Sequence, residues 1–194
     1  MRPDGTPPEA YSQAYSTTAR RLHWWTVAFL AVIIPIGLVM DGDIVKWSEP
    51  VQNRLYDIHK LLGFSVLWLV LARLAYRLSH GAPADEPTLE PWQKIVSHVT
   101  HWGIYTLLIV VPLLGWSGAQ MYPAVELFGR FSLPSFLPVN TSLSGWVFIA
   151  HKLLAFTLIA LIGMHVGAAL FHYLIRRDGV LNRMWTSLPR RDGR

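Results

Sequence analysis

The sequence predicts an all-α fold: an integral membrane four-helix bundle with both termini in the cytoplasm. Three observations carry that reading. Of the 194 residues, 52% are apolar and only 15% charged, against about a quarter charged in an ordinary soluble domain. The apolar residues gather into four long segments. The basic residues gather at one end of those segments. The apolar content excludes disorder, and the lack of any period excludes collagen-like or repetitive character. With no Cys, a disulfide scaffold, an iron–sulfur cluster and a thiolate zinc site are excluded as well.

Each span follows from its own run of residues. Leu22 to Met40 holds no formal charge and predicts a first helix over residues 17–41. Arg20-Arg21 before it resembles a twin-arginine signal, but the apolar run is too long and lacks a small-residue cleavage site. Leu61 to Ala72 is uncharged but short. It reaches the roughly 20 residues that cross about 30 Å of hydrocarbon only if the turn from Asn53 is included, giving 53–77. Val99 to Tyr122 contains no Lys, Arg, Asp or Glu and predicts 95–121. Leu143 to Ile175 contains only Lys152 and predicts 144–176. A soluble bundle with a greasy core would show a charged face on such helices, and these show none.

The connections are short. Residues 1–15 read as a mobile N-terminal tail, 16–178 as the transmembrane domain and 179–194 as a basic cytoplasmic tail. The outer loop 122–143 is apolar enough to lie on the membrane or to cap the bundle. Arg2, Arg20, Arg21, Arg73, Arg77, Lys94, Arg176, Arg177 and the four arginines of the tail lie on one side. Lys46, Arg54, Lys60, Arg130 and Lys152 lie on the other. The positive-inside rule puts the first side in the cytoplasm. The net charge of +5 is therefore topological and does not point to nucleic acid.

Seven of the eight histidines fall within or at the edge of the spans: His23, His59, His98, His101, His151, His165 and His172. An ionisable residue inside a membrane is costly and marks a functional site by default. His151 and His165 are 14 residues apart on the fourth helix. That is close to four turns, so both face one way, about 21 Å apart along the axis. Depth pairs His23 with His165 near the inner face and His59 with His151 near the outer face. An internal echo supports the outer pair: His59-Lys60-Leu61-Leu62-Gly63-Phe64 matches His151-Lys152-Leu153-Leu154-Ala155-Phe156. The small residue four past each histidine offers a place for a flat macrocycle to approach the backbone. Gly37, 14 residues past His23, offers another on the first helix.

Arg73 follows His59 by the same 14 residues. It either pairs with a carboxylate of a cofactor at the inner site or snorkels from a helix end. Lys60 and Lys152 can neutralise carboxylates at the outer site, or draw an anionic reductant. Zinc prefers four ligands, and each site offers two. Haem iron needs two axial ligands, since the porphyrin supplies the rest. Two histidine pairs at two depths therefore suggest a di-haem b-type cytochrome, with a histidine-lined proton or metal transporter as the alternative.

The sequence also resembles the bacterial cytochrome b561 family, related to the cytochrome b subunits of nickel–iron hydrogenases. The matching stretches are Arg21-Leu22-His23-Trp24, Ile58-His59-Lys60-Leu61-Leu62-Gly63, Pro112-Leu113-Leu114-Gly115-Trp116, Ala150-His151-Lys152 and Met164-His165-Val166-Gly167, with Arg177-Asp178-Gly179 beyond. The resemblance spans about residues 15–185. It implies two haem b groups held axially by His23, His59, His151 and His165. It also implies electron transfer across the bacterial inner membrane, with ubiquinone as acceptor and superoxide as one family reductant. A haem b anchor subunit for a periplasmic redox enzyme such as a hydrogenase is the second expectation.

Quinone reduction needs protons. His172, two turns past His165, is the expected catalytic proton group. His98 and His101, one turn apart at the start of the third helix, read as interfacial. Trp24, Trp25, Trp92, Trp102 and Trp146 fall near helix ends, where an aromatic belt meets lipid headgroups.

Overall fold

The structure, a computed structural model, describes residues 14–185. Four helices form the body: α1 Thr17–Val39, α2 Glu49–His80, α3 Pro91–Met121 and α4 Thr141–Phe171. Each is long and apolar enough to cross a membrane. Four such helices make the chain a multi-pass membrane protein. The N-terminal residues 1–13 and the end of the basic tail, 186–194, lie outside the described residues.

The helices start earlier than their apolar cores because local signals start them. Ser16 caps α1, its Oγ accepting from the Ala19 N–H at 3.2 Å. Pro50 and Pro91 sit in the first turns of α2 and α3, where a missing N–H costs nothing. Glu90 and Gln93 form a reciprocal capping box, so α3 begins four residues before the expected 95. Asn140 caps α4 through Oδ1, which accepts from the Leu143 N–H at 3.0 Å.

Close backbone packing runs α1–α2, α2–α3 and α3–α4. The core comprises Val66, Val70, Tyr105, Leu108, Val111 and Leu158. Large apolar side chains such as Trp25, Trp68, Val99, Leu153 and Phe156 face outward, as a lipid solvent allows.

The outer loop caps the bundle. A short hairpin pairs β1, Glu126–Leu127, with β2, Phe131–Ser132. Leu127 is fully buried. Gln120, also buried, accepts through Oε1 from the N–H groups of Phe136 at 2.9 Å and Leu137 at 3.2 Å. Trp116 donates Nε1–H to the Pro134 carbonyl at 2.9 Å. At the inner end, α4 runs into a π-helical turn, His172–Arg176, and a 3₁₀ turn, Leu181–Arg183. Residues 179–185 then fold back on α1 and are not free: Trp24 donates to the Met184 carbonyl at 3.1 Å and meets Trp185 ring to ring at 4.7 Å.

Candidate functional site

Both histidine pairs form in the fold. His59 of α2 and His151 of α4 stand 6.2 Å apart, ring centre to ring centre, with their planes at 82°. His23 of α1 and His165 of α4 stand 6.4 Å apart at 75°. A metal–imidazole bond of about 2 Å on each side, plus about 1 Å from nitrogen to ring centre, places two such rings about 6 Å apart. Both separations therefore match two imidazoles on opposite sides of one metal ion. The helices carrying each pair face each other mainly through side chains, not backbone.

The hydrogen bonds of these rings support ligation. His151 donates Nδ1–H to the Val111 carbonyl at 2.8 Å. A carbonyl can only accept, so the proton sits on Nδ1 and Nε2 keeps its lone pair for a metal. Nδ1 of His23 and Nδ1 of His59 are buried with no hydrogen-bond partner among the described residues. Among the described residues, no three or more His, Asp or Glu gather as a metal site. Two-ligand sites of this kind fit a macrocycle that brings its own four in-plane nitrogens.

Arg73 lies within electrostatic reach of His23 and His165. Its guanidinium sits 5.1 Å over the Tyr105 ring, and Arg77 stacks on the same ring at 5.8 Å. Among the described residues no carboxylate pairs with Arg73. A half-buried cation without a counter-ion suits an anionic group of a bound cofactor.

Other residues take places that their sequence context did not suggest. Lys60 was expected to neutralise a cofactor carboxylate. Instead its ammonium contacts the Asp57 carboxylate at 2.9 Å, the Glu126 carbonyl at 2.7 Å and the Ala124 carbonyl at 3.1 Å. An ammonium has three donors, so all are engaged, and Lys60 is a pin for the outer loop. Asp57 completes the pin by accepting from the Phe128 N–H at 2.9 Å. Lys152 is exposed and faces Asp41 at 3.6 Å and Asp43 at 4.0 Å. It too is drawn to a loop rather than to the outer histidine pair. Gly37 makes room not for a macrocycle but for the His59 ring: a Cβ there would meet His59 Cε1 at 2.9 Å.

His101 is the residue that sequence reasoning placed wrongly at the interface. Its ring meets that of His165 at 5.1 Å, and its Nδ1 pairs with Ser97 Oγ at 3.2 Å. The available signal was its depth, which matches that of His23. His98 does face outward, 3.3 Å from Asp85. His172 is buried, with Nδ1 hydrogen-bonded to Asp178, and Arg176 lies 3.7 Å from the same carboxylate.

Comparison with known proteins places the chain in a family. The model of a family described as prokaryotic cytochrome b561 matches residues 14–187. The chain is 28% identical to "Cytochrome b561 homolog 1" of Escherichia coli K12, over 91% of this chain and 98% of the relative. It is 29% identical to the "Probable superoxide oxidase CybB" of Yersinia pestis, over 92% and 98%. It is 25% identical to "Cytochrome b562" of Cereibacter sphaeroides, over 88% and 94%.

Proposed function

The chain belongs to the prokaryotic cytochrome b561 family of membrane haem b proteins, and from that premise we propose that it carries electrons from an outer-face reductant to membrane ubiquinone. The reading assigns two haem b groups, one between His59 and His151 and one between His23 and His165. The observation that carries it is the pair of ring separations, 6.2 and 6.4 Å. The two pairs sit about 21 Å apart along α4. Superoxide is the proposed reductant, because the Yersinia relative is named a probable superoxide oxidase.

When bound, a haem at each site would supply a one-electron iron couple, and holding it by two histidines would favour outer-sphere transfer over oxygen binding. The four histidines hold the two centres at different depths. Arg73 offers its fork to a propionate at the inner centre. His172 and Asp178 hold a proton beside the inner face, where quinone reduction requires one. The stoichiometry closes as follows: two superoxide anions each give up one electron and leave as O₂, and one ubiquinone takes two electrons and two protons to become the quinol. The outer loop, pinned by Lys60 and Gln120, presents little free chain for a periplasmic enzyme. That favours a stand-alone oxidoreductase over an anchor subunit.

The test is a reduced-minus-oxidised visible spectrum of the purified protein, followed by superoxide-driven reduction of a soluble ubiquinone analogue. A b-type α band and quinol formation without a partner are expected. A band with no turnover would shift the reading to an anchor subunit. No band after haem-replete expression would discard haem in favour of a histidine-lined transporter.

A further inference from the structure

The outer histidines rest in two matching notches. On α3, a Cβ at Gly115 would meet His151 Cε1 at 3.0 Å and Nδ1 at 3.1 Å. One turn earlier on the same helix stands Val111, whose carbonyl takes the His151 Nδ1–H at 2.8 Å. On α1, a Cβ at Gly37 would meet His59 Cε1 at 2.9 Å and Nδ1 at 3.3 Å. One turn earlier stands Ile33, but His59 Nδ1 closes no hydrogen bond among the described residues. Residues four apart share a helix face. Both notches therefore share a glycine floor with a ring laid over it; at Gly115 a carbonyl one turn back also holds the ring.

The sequence repeats the arrangement. Gly37 follows His23-Trp24 by 14 residues, and Gly115 follows His101-Trp102 by the same interval. Each then precedes a helix that carries His-Lys-Leu-Leu ten residues past its start, from His59 in α2 and from His151 in α4. The α1–α2 and α3–α4 hairpins thus carry one device twice.

We infer that Gly37 and Gly115 are positioning residues that set the orientation of the His59 and His151 imidazoles, and through them the electronic character of the outer haem. This rests on the assignment of that haem to His59 and His151. The planes of the two rings stand at 82°. The magnetic signature of low-spin haem iron depends on the angle between its axial imidazoles, and its potential on their orientation and hydrogen bonding. A Cβ at 2.9–3.0 Å forces the ring to turn or retreat by a few tenths of an ångström. For His151 the move also strains the bond to Val111.

Gly115→Ala and Gly37→Ala, each in the haem-loaded protein in detergent, test this by haem stoichiometry, low-temperature electron paramagnetic resonance and redox titration. Helix propensity favours Ala over Gly, so any loss comes from the ring contact. Gly163→Ala is the control, since a Cβ there meets nothing within 4 Å. Gly118→Ala controls for helix packing, because its Cβ would meet Phe148 at 2.7 Å and no histidine. Either notch variant is expected to lose one haem per chain, or to shift the resonance and midpoint of one haem while the other stays as in wild type. Unchanged signals, an equal shift in both haems, or loss of both haems together would overturn the inference. If the wild-type protein itself carries no haem, the assignment beneath it fails instead.

Discussion

The rings of His101 and His165 meet edge to face at 5.1 Å. His165 is farther from His23, at 6.4 Å. The shorter distance leaves too little room for one metal ion between two facing nitrogens, each about 2 Å away. The longer one fits. His101 therefore braces His165 and is not its partner across the metal. His101→Ala is expected to retain both haems, whereas His23→Ala loses the inner one. Pyridine haemochrome stoichiometry distinguishes the two variants, and loss of a haem in His101→Ala would exchange their roles.

Arg73 lies within electrostatic reach of both inner histidines and has no carboxylate partner among the described residues. Reduction removes one positive charge from iron, so a nearby cation favours the reduced state. Arg73→Leu is expected to lower the midpoint of one haem by about 40–90 mV. That corresponds to roughly 1–2 kcal/mol for a charge several ångströms away in an intermediate dielectric. Arg73→Lys should recover part of the drop. A potentiometric titration that leaves both midpoints where they were would remove Arg73 from the inner site.

Lys60 joins α2 to the outer loop through two carbonyls, those of Ala124 and Glu126, and its same-helix partner Asp57 is mostly buried. Lys60→Met leaves that carboxylate with the Phe128 N–H alone. The expected cost is about 1–3 kcal/mol, seen as a lower melting temperature in detergent with haem content unchanged. If Lys60 served the cofactor instead, the variant would lose haem before it lost stability.

His172 and Asp178 form a buried hydrogen-bonded pair at the inner end. Asp178→Asn and His172→Gln are both expected to slow quinone reduction by about 10-fold or more, in the range typical of general acid–base groups. Reduction of the haems by dithionite should be unaffected, and the pH dependence of turnover should flatten. Wild-type turnover with an unaltered pH profile would leave the pair a purely structural clasp for residues 178–185.

Much of this molecule can be read directly from its residues. The spans follow from uncharged runs such as Val99 to Tyr122, because a bilayer admits only segments that satisfy their own backbone. The histidine pairs follow from the 14-residue interval between His151 and His165, because helix periodicity converts sequence distance into face and depth. Side-chain partners across helices were less legible. Lys60 and Lys152 lie at the depth of the outer site, and periodicity, which puts Asp57 beside Lys60 on α2, could not show that the Ala124 and Glu126 carbonyls, Asp41 and Asp43 would claim them.

The sequence by itself determined the membrane fold, the four spans and which histidines share a level, since these depend on hydropathy and on a regular helical repeat. Only the tertiary structure decided how neighbouring helices are rotated against one another. That rotation turned His101 onto His165, laid His59 over Gly37 and His151 over Gly115, and folded the outer loop onto Lys60. Such contacts depend on packing between distant segments to within a few tenths of an ångström, and no local periodicity encodes them.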